Sequence, residues 1–112
     1  MPPMDPLDAF QTLDLRAGRV TAAEPLAGAK KPAYKLTIDF GPLGVRGSSA
    51  RLTALYRPEQ LIGRSVIAAV NLGVRRIAGF ASEVLVLGVP DEHGRTVLLS
   101  TERDVPAGGR VY

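Results

Sequence analysis

His93 is the one imidazole in the chain, and it falls in Asp91-Glu92-His93-Gly94, a hydrophilic run with the composition of a tight turn. An imidazole there reads as solvated, because adjacent turn residues do not converge on one metal ion without ligands from elsewhere. Cysteine is absent, which excludes thiol catalysis, Cys-based zinc sites and disulfides. General acid and base chemistry needs two carboxylates held together, yet Asp14, Asp39, Glu83 and Glu102 have no spacing that pairs them. Gly41 to Gly47 is glycine-rich but lacks the Gly-Lys-Ser/Thr ending and following helix of a phosphate cradle, so it reads as a hairpin turn. These residues point to no catalytic constellation, no metal and no cofactor: the protein is expected to bind, not to catalyse.

Two groups of residues carry binding chemistry. Lys30, Lys31 and Lys35 cluster around a loop, and Arg75 and Arg76 follow a later strand, so that cations would meet an anionic ligand from two sides. Exposed loop cations are more often plain solvated charge, and the formal net charge of +3 with a pI near 9.7 favours polyanions without naming one. Val74, Ile77, Ala78, Gly79 and Phe80, with Leu55 and Tyr56, are apolar where a loop is expected. They would either pack a long connection or form a shallow apolar pocket suited to unfolded peptide segments, with Asn71 and Ser82 bracketing the stretch. Three Tyr, three Phe and no Trp leave little for stacking bases.

These residues must be positioned by one domain of 112 residues. Asp5-Pro6 is suited to cap and start a short helical turn with Leu7 and Phe10 on its apolar side. In Asp14 to Ala22 the pair Leu15 and Ala17 is out of phase with Val20 and Ala22, and a β-bulge at Gly18 would restore the phase. Tyr34, Leu36, Ile38 and Phe40 alternate with Lys35, Thr37 and Asp39 as a half-buried strand, and Arg46 to Thr53 returns as the next. Leu55 to Ile62, with Pro58 and Glu59 early and Gly63 behind, predicts a short helix.

Ser65 to Leu72 and Glu83 to Val89 are almost continuously apolar, as is the centre of Thr96 to Ser100. Outward Ile67, Ala69, Leu85, Leu87 and Leu98 would then need a second surface, most simply a second copy of the chain. The last segment offers Val111 and Tyr112 as an edge piece. The sum is an all-β fold, a five-stranded Greek-key barrel of the oligonucleotide/oligosaccharide-binding (OB) type with short helices and terminal extensions. No apolar run approaches the roughly 20 residues that cross a bilayer. Met1 to Asp8, with two carboxylates and three prolines, is unlike a signal peptide, so a cytoplasmic protein without membrane insertion is expected.

Lys31-Pro32-Ala33-Tyr34-Lys35-Leu36, Ile38-Asp39-Phe40-Gly41, Pro58-Glu59-Gln60-Leu61-Ile62-Gly63, Arg76-Ile77-Ala78-Gly79-Phe80 and Ser82-Glu83-Val84-Leu85-Val86-Leu87-Gly88, in that order, resemble the CsaA-like chaperones. That family is similar in turn to the tRNA-binding domains appended to some aminoacyl-tRNA synthetases. The resemblance implies a homodimer that holds unfolded preproteins for export and contacts the translocation ATPase, or alternatively a free-standing tRNA-binding protein using the same basic face. The residues singled out for peptide or tRNA contact are Lys30, Lys31, Tyr34, Asn71, Arg75, Arg76, Phe80 and Ser82. Two departures stand out. tRNA-binding relatives carry Gly-Met where this chain has Glu83-Val84, and the chaperones tend to have prolines at Gly73-Val74.

Overall fold

The structure, a computed structural model, describes residues 4–112. Helix α1 (Pro6–Thr12) begins after Asp5 with Pro6 in its first turn, but the Asp5 side chain makes no capping hydrogen bond. Leu7 and Phe10 are both exposed, so α1 stands off the core. Strands β1 (Leu15–Pro25), β2 (Tyr34–Asp39) and β3 (Val45–Ala50) form an antiparallel meander. The alternation in β2 is as the sequence predicts, with Tyr34, Leu36 and Ile38 inward. A one-turn helix α2 (Pro58–Leu61) follows, shorter than Leu55 to Ile62, and drives Leu61 into the core. Strand β4 (Ser65–Ala69) then pairs with β1.

The expected bulge lies elsewhere. The register of β1 against β2 slips between Val20 and Ala22, not at Gly18. Gly18 is needed for space: a Cβ there would stand 2.6 Å from the Phe40 ring and 2.7 Å from Ile38 Cγ2. Gly18 and Val20 therefore share the inner face, over a core of Leu36, Ile38, Phe40, Leu61, Val66 and Ala68, all fully buried.

Beyond β4 the chain forms a hairpin that the sequence reading leaves as loop, β5 (Arg75–Ile77) and β6 (Phe80–Ser82). The apolar run after it is divided, into β7 (Leu85–Val86) and β8 (Gly88–Pro90), and β8 pairs with β9 (Thr96–Leu98). The main sheet has the order β3-β2-β1-β4-β7. Its two edges are drawn together where the Glu83 N–H donates to the Gly47 carbonyl at 2.8 Å and Ser48 Oγ, fully buried, donates to the Val84 carbonyl at 2.9 Å. This nearly closed five-stranded antiparallel barrel, mostly β with few short helices, is an OB fold.

Of the outward apolar residues, Ile67, Ala69 and Leu98 are covered wholly or in part by the chain itself, which corrects the expectation that these three need a second copy. Ala69 is 1% and Ile67 8% exposed, Ile67 lying in a cleft with Thr101, Val105 and Val111, and Leu98 packs against the core. Leu85 does stay exposed, at 51%. The terminal segment docks along β1, with Val111 N–H on the Leu15 carbonyl at 2.9 Å, whereas Tyr112 is wholly exposed. Among the described residues no helix is long and apolar enough to cross a membrane.

Candidate binding face

The β5–β6 hairpin organises the face. Ala78 and Gly79 make its two-residue turn at φ 50° and 79°, the doubly left-handed geometry whose twist matches the flanking strands. Alanine enters that region at a cost of about 1–2 kcal/mol, and Ala-Gly lacks the Asn or Asp that would mark such a turn in sequence.

The hairpin leans on β3. Phe80 packs over Gly47, where a Cβ would come within 2.9 Å of the ring, and Lys35 Nζ lies over the same ring, 5.2 Å from its centroid. The Ser82 hydroxyl accepts the Ser49 N–H at 2.9 Å, and the Glu83 carboxylate accepts the Gly47 N–H at 3.0 Å. Glu83 is thereby part of the barrel closure.

Successive strand residues project to opposite sides, so Arg76 points away from Arg75 and Ile77. On its side Arg76 joins Lys30, Lys31 and Arg51 in a groove of about 580 Å³ with Ala33 and Ala78 in its wall. Among the described residues none of these four cations is in an ion pair, whereas Arg16, Arg19, Lys35, Arg57, Arg95 and Arg110 each have a carboxylate partner. Unpaired like charges so placed raise the local potential and attract anions. On the other side Arg75, Leu72, Ile77, Val84 and Leu85 line a smaller pocket of about 160 Å³, with Ser49 and Ser82 at its polar part. Ile77 borders both spaces.

Of the residues singled out in the sequence, Lys30, Lys31, Arg75, Arg76, Phe80 and Ser82 gather around this hairpin. Tyr34 lies in the core, 8% exposed, its hydroxyl donating to the Tyr56 carbonyl at 2.7 Å. Asn71 is exposed but engaged: its Oδ1 accepts the Asp14 N–H at 2.9 Å and its Nδ2 donates to the Thr12 carbonyl at 2.8 Å, tying α1 to the end of β4. Arg51 is the residue that the sequence reading missed. It follows β3 with no neighbouring cation in sequence, and only the fold carries it to Lys30 and Arg76. Among the described residues no three of His, Asp and Glu gather as a metal site.

Residues 15–110 match a family described as a tRNA binding domain. The chain belongs to the tRNA binding domain family. This tRNA binding domain is similar in structure to the chaperone CsaA from Bacillus anthracis strain Ames, with a TM-score of 0.88 and 46% identity over 98% of this chain and 100% of that one. CsaA from Picrophilus torridus gives 0.89 and 38%, over 97% and 100% of the two chains. A methionine–tRNA ligase from Methanothrix thermoacetophila is 39% identical over 95% of this chain but only 15% of its own length. The tRNA binding domain thus spans about 15% of the curated relatives it matches, and its likeness to CsaA extends over whole chains.

Proposed function

We propose that this tRNA binding domain acts as a CsaA-like chaperone in the cytoplasm, a homodimer that holds unfolded preprotein segments for export and presents them to the translocation ATPase, without catalysis. The observation that carries this reading is the adjacency of an apolar pocket to four cations without carboxylate partners. Apolar side chains of a client leave water in the pocket while Arg76, Arg51 and the lysine loop hold carboxylates or carbonyls alongside.

tRNA binding by the same face is the second reading, favoured by those same cations and by the family. Two features weigh against it. Phe80, the aromatic residue of the hairpin, already has Lys35 over its ring, which leaves no open platform for a base. The Glu83 carboxylate also adds negative charge beside β3.

Aggregation of a denatured model protein tests the choice. The domain is expected to suppress it, and Leu85→Asp, at an exposed position, is expected to weaken suppression more than Lys31→Ala does. Absence of suppression together with tRNA affinity that falls steeply as salt rises would establish the second reading instead.

A further inference from the structure

Resting on the reading of this face as a holder of unfolded chain, we propose that the guest adds as a strand to the free edge of β5, and that the favoured guest alternates apolar and acidic residues. The two-residue turn makes Ile77 and Phe80 the first bonded pair of the hairpin and Arg75 with Ser82 the next, leaving Arg76 and Ala81 between them. A residue in that intermediate position turns its N–H and C=O away from the partner strand. For Arg76 that direction is the outer edge of β5, where no other described group bonds to either. All three residues of β5 are exposed. An unfolded segment carries N–H and C=O groups with no protein partner at every residue but proline, which lacks the N–H, and pairing them with a strand edge is a mode of recognition that asks little of sequence.

Side-chain alternation then sets the preference. Residues of an added strand face the two sides of the ribbon in turn. One side offers Leu72, Ile77 and Leu85, and the other offers Lys30, Lys31, Arg51 and Arg76. A guest that satisfies both places apolar side chains at i and i+2 and carboxylates at i+1 and i+3. Arg51 becomes a specificity-determining residue, because it supplies a cation to the acidic side from outside the hairpin and is itself exposed.

Fluorescence anisotropy with the full chain tests this, using labelled peptides of about ten residues made of equal numbers of valine and glutamate. The alternating peptide is expected to bind about tenfold more tightly than one with the same residues in two blocks, and N-methylation of its central amides to weaken it about tenfold. Arg51→Glu should erase the preference for the alternating peptide over one with glutamine in place of glutamate. Amide exchange at Arg76 should slow in the complex. Peptides that bind with neither pattern preference nor N-methyl sensitivity overturn strand addition while leaving the chaperone reading intact. Failure to hold any peptide or denatured preprotein, with tRNA bound instead, overturns both.

Discussion

The Tyr34 hydroxyl donates to the Tyr56 carbonyl at 2.7 Å, and the Tyr56 hydroxyl in turn accepts the Leu98 N–H at 3.1 Å. The two phenols join β2, the approach to α2 and β9 through partly buried polar groups, where an unmade bond costs more than a made one gains. Tyr34→Phe is therefore expected to lower the unfolding free energy by about 1 kcal/mol in urea titration while leaving peptide and tRNA binding unchanged. A change in affinity at constant stability would return Tyr34 to the binding face. Glu83 has the complementary part, its carboxylate and its N–H both engaged with Gly47. Glu83→Ala strands the Gly47 N–H and should cost about 1–3 kcal/mol, with Glu83→Gln recovering most of it because the amide oxygen still accepts. In sequence Glu83 reads as a carboxylate without a partner and as a departure from the Gly-Met of tRNA-binding relatives. Its structural role depends on two strands meeting 36 residues apart, which no local pattern encodes.

Elements were legible in proportion to how strictly they alternate. β2 could be read residue by residue because one face is buried and the other wet, which fixes a period of two. The apolar stretches of β4 and β7 show no period, and so the division of the latter before Gly88 left no trace in the pattern. Gly18 illustrates an ambiguity of glycine, which marks either a bulge or a close approach, and here marks the approach of Phe40. Gly18→Ala is expected to destabilise by about 1–3 kcal/mol through overpacking, checked by thermal and urea unfolding. The β8–β9 hairpin carries a pH dependence of its own. Asp91 accepts the N–H of Arg95 and of His93 at 2.9 Å and pairs with the Arg95 guanidinium at 2.8 Å. The Arg95 backbone N–H above all holds the Asp91 carboxyl below its usual 3.8. A depressed carboxylate stabilises the folded turn above that value and loses its contribution as pH falls through the lower, folded pKa. Protection of the β8 and β9 amides, taken relative to intrinsic exchange at each pH, should therefore fall as pH drops below about 3.8, and Asp91→Asn should remove the acid-dependent part.

At the scale of the whole molecule, the case for a homodimer rests on different residues from those the sequence put forward. Ile67, Ala69 and Leu98 are accounted for within one chain, so strand amphipathicity alone overstated the surface left to cover. Outside the barrel proper, Val89 and Val97 face each other across the β8–β9 pair at 51% and 39% exposure, and Leu99 continues the same side of β9 at 37%. An apolar hairpin face rimmed by polar turns is the surface that a second copy would bury, and burying it removes the aggregation hazard that a monomer at working concentration would carry. Sedimentation equilibrium at micromolar concentration is expected to give twice the 11.9 kDa of the chain. Val97→Asp, whose own side chain is partly in water, should leave the fold intact by circular dichroism and shift the mass toward one copy. A single-copy mass for the unaltered chain would mean that this face is dispensable, and the binding groove would then have to work from one barrel alone.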